Sequence, residues 1–379
     1  MDRIQAAGTD GIAGVGVLHV ALELSKAKWV LASSAGGRKT RRKSVEAGDL
    51  AGFLDEVVKA KRAMKLPVTA RVVSCYEAGR DGYWIHRWLQ SQGIANRVVD
   101  PSSLQVSKRA RQAKTDRLDA QMLVEQLVLL ESGQGRMREV RVPTSEQEDQ
   151  RRLHREMERL QKERTSHGNR IRGLLAGVGV DLRPGLDLPE CLLRARLWDG
   201  KEIPAGLRQE LEREHARWLL ATQQLQELEG LRDQQVARPR DVAEAKAHKL
   251  TRLRGVGPAS AWLLTREMFG WRTFSNRREV GASAGLTGTP YDSGESRREQ
   301  GIGKAGNRRV RRVMIELAWG WLRWQPLSEL SLWFARRFGE AGKRGRRVGA
   351  VAVARRLLIA LWRWVEQDVV PEGALLKGA

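Results

Sequence analysis

Four carboxylates in the first third of the chain have the types and the order of a site for divalent cations. Glu23 closes an apolar run in Ala-Leu-Glu-Leu-Ser-Lys, and Glu77 directly follows a second one in Ser-Cys-Tyr-Glu-Ala-Gly. Asp116 and Asp119 stand three apart in Lys-Thr-Asp-Arg-Leu-Asp-Ala, where a helix is expected to begin, and that spacing puts them on one helical face. Carboxylates at two strand ends and on one helix can converge on a pair of hard cations, which activate an attacking oxygen and stabilise a leaving one. Each acid alone has a plainer reading. Asp116 suits a helix amino terminus through the macrodipole, and a lone glutamate at a strand end is ordinarily solvated. The set of four, in strand–strand–helix order, is what points to metal chemistry. Lys108, Arg109, Arg111, Lys114 and Arg117 surround the last pair and suit phosphate contacts, or a solvated helix face.

A second candidate lies between Gly285 and Arg309, where Ser293, beside Gly294, is followed by Arg297, Arg298, Lys304, Arg308 and Arg309. A serine that attacks phosphorus needs room at the backbone, cations to hold the phosphate and a way to lose its proton. No histidine is near it in sequence, so the residues alone read as a basic, glycine-rich phosphate-binding loop. A third candidate, Leu253-Arg-Gly-Val-Gly-Pro, has the form of a helix-hairpin-helix turn. There Arg254, Gly255 and Gly257 would let the backbone approach a phosphate in front of the next helix.

The elements that must position these residues fall into three segments, 1–144, 145–245 and 246–379. In the first, strands are expected over Val15–Leu24, Lys28–Ser33, Arg38–Val45, Val68–Tyr76 and Ile94–Val99, with helices over Asp49–Met64, Asp81–Gln90 and Lys114–Leu130. Strands first, then strands alternating with helices, imply a mixed sheet covered by helices. In the second, Leu153, Met157, Leu160, Arg164, His167, Ile171, Leu174 and Val178 form a heptad seam with polar interruptions. A second helix follows over 205–236, and Asp181–Pro204 between them reads as a loop. The pair is either an intramolecular helical hairpin or a dimerising coiled coil. The third segment is helical and basic, with 16 Lys and Arg against 6 Asp and Glu over 301–379. It holds eight of the 13 tryptophans, and the helical spacing of Leu317, Trp321 and Trp324 favours core packing over base stacking.

The whole chain of 379 residues carries 68 Lys and Arg against 45 Asp and Glu, a net charge of +23, which makes nucleic acid the first partner to consider. Apolar residues at 41% are enough for a proper core. No apolar run reaches the roughly 18 residues of a membrane span, and no lipidation motif or signal peptide is evident. Cys75 and Cys191 are in no metal-ligand spacing, which argues against zinc and against a disulfide framework and fits a reducing cytoplasm.

Taken in order, Glu77-Ala-Gly, Lys114-Thr-Asp-Arg-Leu-Asp-Ala120, Gly255-Val-Gly257, Ser293-Gly and Gly301-Ile-Gly-Lys-Ala-Gly-Asn307 resemble the DEDD-type insertion-sequence transposases of the IS110 group along essentially the whole chain. The resemblance implies an α/β plus α fold: an RNase H-like (RuvC-like) amino domain, a coiled-coil middle and a serine-bearing carboxyl domain. It implies DNA cleavage and rejoining with Mg2+ or Mn2+, a covalent phosphoserine, guidance by a non-coding RNA that pairs with donor and target DNA, and nucleoid association. It also implies a homo-oligomer, dimer or tetramer, in which one protomer's serine meets another's acids. Glu77, Asp116 and Asp119 match three of the metal-binding acids and Ser293 the nucleophile. Glu23 occupies the place of the usual aspartate, one methylene longer, and is read as a variant that keeps the metal. A junction-resolving nuclease using metal-activated water and a non-catalytic nucleic-acid-binding relative are the competing readings.

Overall fold

The structure, a computed structural model, describes residues 16–37, 39–79, 82–104, 116–135, 137–293 and 296–378. The chain forms two compact units, Met1–Pro143 and Thr144–Ala379.

In the first unit β1 (Leu18–Leu24), β2 (Lys28–Ser34) and β3 (Thr40–Glu46) form an antiparallel meander, followed by α1 (Leu50–Ala63), β4 (Val72–Glu77), α2 (Trp84–Ser91), β5 (Ala95–Val99) and α3 (Asp116–Glu131). The five strands make one mixed sheet in the order β3-β2-β1-β4-β5, with β1–β4 and β4–β5 parallel. This is the helix-covered mixed sheet expected from the sequence, and it is consistent with an RNase H-like domain. Alternation along β4 separates two cores. Val72 and Tyr76 join Leu18, Leu22, Phe53 and Leu89 under α1 and α2, whereas Val73 and Cys75 join Ala21, Leu123 and Leu127 under α3. The strand expected from Val68 begins only at Val72. Ala70 donates to the Pro67 carbonyl in a turn that leaves Val68 81% exposed.

The second unit opens with α4 (Ser145–Asp149), α5 (Arg152–Ala176), α6 (Leu188–Arg194) and α7 (Ala205–Ala237). α5 and α7 run antiparallel, since Met157 and Leu160 meet Leu225 while Ile171 and Leu175 meet Leu211. The polar interruption at His167 is answered in the same chain, with its Nδ1 2.7 Å from Glu214 Oε2. The heptad seam is thus filled by α7. The segment read as a loop contains the short helix α6, which Pro189 helps to start.

Next come α8 (Val242–Thr251), α9 (Pro258–Leu264), a π-helical turn over Thr265–Phe269, α10 (Arg277–Ser283), β6 (Gly288–Ser293), β7 (Ser296–Ile302), α11 (Arg308–Trp324), α12 (Glu329–Phe338) and α13 (Lys343–Gln367). Trp321, Trp262 and Trp364 lie in one core with Leu357 and Leu361, and the Trp321 indole N–H donates to Ser328 Oγ at 2.8 Å. Trp324, by contrast, is 49% exposed. No helix among the described residues is long and apolar enough to cross a membrane.

The π turn buries all five of its residues, including two adjacent charges. Arg266 stacks on Trp262 and donates to Asp241 (2.9 Å), Glu244 (2.9 Å) and Gln150 (2.8 Å). Glu267 accepts from Arg155 Nε at 3.0 Å and Nη2 at 3.2 Å and from Asn307 Nδ2 at 2.8 Å, with His154 Nε2 2.8 Å away. Burial alone would push the Glu267 carboxyl up. The hydrogen bonds from His154 and Arg155, together with the arginine's charge, outweigh burial and hold it far below the ordinary value of 4.5. This carboxylate ties α5 to the amino end of α11.

The β6–β7 ribbon is clamped at its base. Gly303 N–H donates to the Thr287 carbonyl (2.8 Å), Asn307 N–H to Ser283 (2.7 Å), and the Arg311 guanidinium to the carbonyls of Ala284 (3.1 Å) and Lys304 (2.8 Å). Gly306 sits at φ +111, where a Cβ would collide with the Ser283 carbonyl.

Three outcomes are expected. Gly306→Ala should lower stability by about 1–3 kcal/mol in denaturant titrations, whereas Gly230→Ala, in open space on α7, should be neutral or stabilising. A depressed carboxyl contributes stability that is present above the unfolded-state value and lost on acidification. Melting temperature should therefore fall below about pH 4.5, with Glu158 and Glu214 contributing through the same sign. Glu267→Gln should cost on the order of 3–5 kcal/mol at neutral pH and make the acid fall shallower. Parallel pH profiles for the two proteins would overturn this account.

Candidate active site

The parallel register of β1 and β4 ends at Leu22 opposite Tyr76, and the next residues on the two strands are Glu23 and Glu77. By alternation both share the sheet face of Ala21 and Cys75, which α3 covers. The helix runs against the strand direction, because Glu131 at its end lies 3.8 Å from Arg71 just before β4. Midway, the Cys75 thiol faces the Leu123 carbonyl at 4.0 Å. From that contact, two residues forward along β4 and one turn back along α3 are both steps of roughly 6 Å, so Asp119 comes level with Glu77. Asp116 opens the helix one turn outward again. Its backbone is placed, but its side chain lies outside what is described, as does that of Arg117. Lys108, Arg109, Arg111 and Lys114 lie outside the described residues altogether.

Among the described residues no three His, Cys, Asp or Glu side chains are gathered closely enough to hold an ion. The topology brings the positions to one sheet edge. The donor chemistry fits a hard divalent cation: the expected ligands are carboxylates, and the nearest thiol is unsuited to the task. Burial pushes the Cys75 thiol well above its ordinary value, so it stays protonated in the core.

The segment around Ser293 differs from its sequence reading. It is not a loop but an antiparallel ribbon, in which Ser293 pairs with Ser296, Asp292 with Arg297 and Tyr291 with Arg298. The ladder is irregular between Gly288 and Pro290, as expected where proline lacks an N–H. Ser293 therefore stands at the end of a strand whose base is clamped. For Ser293, Arg297 and Arg298 only the backbone is described.

The flanking cations have unequal surroundings. Lys304 and Arg308 are exposed, whereas Arg309 is held by Glu158 at 2.7 Å, with Arg312 on the same carboxylate at 3.0 Å. The turn at Arg254 joins α8 to α9, and its backbone is gripped by the carboxyl-terminal segment. Arg254 N–H donates to the Leu375 carbonyl (3.0 Å), and its own carbonyl accepts from Gln325 Nε2 (2.9 Å). Gly255 takes φ +87 against Trp324, and Gly257 caps α9 in open space.

Sequence reasoning overlooked Arg311, Asn307 and Glu267, which hold the ribbon's base rather than face solvent. Asn307 carried a legible signal, since an asparagine just before a basic helical run is a typical amino-terminal cap, and here its Oδ1 accepts from the Arg309 and Val310 amides. Glu267 carried none, because its partners come from 40 and 112–113 residues away.

Two family models match the chain. One, described as "Transposase" and representing the DEDD domain of IS110-type elements, covers residues 24–179. It includes Glu77, Asp116 and Asp119 and begins one residue after Glu23. The other, described as "Transposase IS116/IS110/IS902 family", covers residues 247–331 and includes Gly255, Gly257 and Ser293. Among curated proteins, "Putative transposase y4rJ" of Sinorhizobium fredii is 41% identical over 96% of this chain and 95% of its own length. "Transposase for insertion sequence element IS1111A" of Coxiella burnetii is 27% identical over 80% of this chain and 81% of its own. "Transposase for insertion sequence element IS1328" of Yersinia enterocolitica is 23% identical over 68% of this chain and 75% of its own. With matches in both units and a relative aligned over nearly the whole length of both chains, the chain belongs to the IS110 family of transposases, enzymes that act on DNA.

Proposed function

We propose that this transposase cuts and rejoins DNA strands with Ser293 as nucleophile and with Glu23, Glu77, Asp116 and Asp119 as the ligands of Mg2+ or Mn2+. The observation that carries the reading is the register of β1 and β4, which ends two neighbouring parallel strands in Glu23 and Glu77 on the face covered by α3. When bound, the cation supplies positive charge at the scissile phosphate, which steadies the charge that gathers on phosphorus-bound oxygens. Glu77 at the end of β4 and Asp119 on α3 would hold the cation from elements anchored in the same core.

Ser293 Oγ forms a bond to phosphorus as the phosphorus–sugar oxygen bond breaks. The serine proton is balanced by the one gained on the released sugar hydroxyl. The exchange conserves phosphodiester number, so attack by another strand's hydroxyl reverses it and joins the strands. The clamped ribbon contributes a fixed approach for the hydroxyl, and Lys304 and Arg308 contribute charge for the phosphate. In keeping with the family, acids and serine come from different protomers of a dimer or tetramer, and a non-coding RNA from the same element selects donor and target DNA. The RuvC-like description of the sheet domain, nucleoid association in the cytoplasm and a role for Arg254, Gly255, Gly257, Lys114, Arg117, Arg297, Arg298 and Arg309 in nucleic-acid contact belong to the same proposal.

Two experiments test it. Ser293→Ala should abolish the covalent protein–DNA adduct and strand joining while leaving DNA binding intact, as read on denaturing gels with labelled DNA. A variant that still forms the adduct would remove the serine assignment, and one that still cleaves without it would favour metal-activated water. Glu77→Gln and Asp119→Asn should each lower Mg2+-dependent cleavage by roughly a hundredfold or more. Glu23→Asp should retain much of the activity that Glu23→Gln loses, and equal loss in both would argue that Glu23 is no ligand.

A further inference from the structure

We infer that the corner between α12 and α13 is a docking surface for the phosphate backbone of duplex DNA, separate from the residues assigned to the reaction. Residues 336–347 contain Arg336, Arg337, Lys343, Arg344, Arg346 and Arg347 against the single acid Glu340. All six cations are exposed, and among the described residues only Arg336 has an ion pair, with Glu329.

A basic stretch is more often a solvated helix face, and this chain shows what such a face looks like. On α5, Arg159 is laced to Glu163 and Lys162 to Glu158 at four-residue spacing, which screens each charge. The corner has no such lacing. It also places charge against the helix dipole. Lys343, Arg344, Arg346 and Arg347 occupy the start of α13, where the peptide dipoles already sum to a positive end and acids are favoured. The first turn has none, and Gly342 provides no side-chain cap. Charge arranged so that it opposes the stability of its own helix is explained by an anionic partner that relieves it.

The geometry of the corner is fixed. Gly349 lets α13 press against α12, since a Cβ there would lie 2.6 Å from Phe338 and 2.8 Å from Phe334. The same packing identifies the form of the partner. Single strands are held by aromatic platforms on which bases stack. Here Phe334 is buried, Phe338 packs against it, and Trp333 is covered by the Arg356 guanidinium at 3.9 Å. Phe338 and Trp333 are half-buried, each with a partner on its ring, while the six charges are exposed, as suits an outer phosphate backbone with its bases paired. For an enzyme that acts on DNA, the partner of this chemistry is the duplex flanking the reacting strand. The inference rests on the chain being a DNA transposase and not on the assignment of Ser293.

The test compares wild type with a Lys343→Gln, Arg344→Gln, Arg346→Gln, Arg347→Gln variant. Fluorescence anisotropy reports binding to a mixed-sequence duplex of about 30 base pairs between roughly 50 and 300 mM KCl. The slope of log affinity against log salt should fall by about 3–4, at roughly 0.9 for each phosphate that is no longer neutralised. The melting temperature should stay level or rise, because charge opposing the dipole has been removed. If the quadruple variant melts lower, Arg344→Gln alone should reduce the slope by about 0.9 and Arg344→Lys should restore it. An unchanged slope overturns the proposal. A loss confined to a structured RNA of matched length, with duplex DNA binding unaltered, overturns the assignment to DNA.

Discussion

The parallel pairing of β1 with β4 sets Leu22 opposite Tyr76, and the residue that follows on each strand is a glutamate. Parallel strands point the same way, so their carboxyl ends share one edge of the sheet, and pleating sends alternate side chains to the same face. An antiparallel neighbour such as β2 would have put the second acid at the opposite edge. The remainder of the first unit serves that arrangement. α1 and α2 bury one face of the sheet, α3 buries the other, and the descent of α3 against the strands brings Asp119 level with Glu77.

The second unit meets a different demand, that of holding an isolated ribbon steady. A two-stranded ribbon has little core of its own and is marginal without support. Support comes from polar contacts at its base, from a glycine that admits the Ser283 carbonyl, and from Asn307, which caps α11 while donating to Glu267. Glu267 and Arg266 occupy a π turn that turns consecutive charges inward among partners from α5, α8 and α11. A buried carboxylate with that many donors is costly to desolvate and costlier still to leave unpartnered. The position of the serine strand thus depends on residues outside the ribbon itself.

Charge is distributed accordingly. Arg155, Arg266 and Arg311 are used inside the unit, where they neutralise acids or bind carbonyls. The cations of the α12–α13 corner are left outward against the dipole. A net charge of +23 is therefore not a uniform coat, and composition could not separate structural arginines from those available to a polyanion.

Much was legible in the sequence because it is local. The strand and helix order of the first unit, the spacing of Asp116 and Asp119 and the heptad of α5 follow from periodicities that a short window contains. The family followed from motifs in a fixed order. Misreadings came where distant partners decide. The stretch around Ser293 is a ribbon because its two halves pair and its base is clamped by α10 and α11, whereas its glycines and arginines alone suit a loop. His167 interrupts the seam in the sequence but meets Glu214 from α7 in the fold. By itself the sequence determined which residue types stand at strand and helix ends, since backbone period and side-chain chemistry are properties of neighbours in the chain. Which acids share a sheet edge, which arginines are spent inside and where Ser293 is carried were decided only by tertiary structure, because strand register and buried charge pairing join residues that the chain keeps far apart.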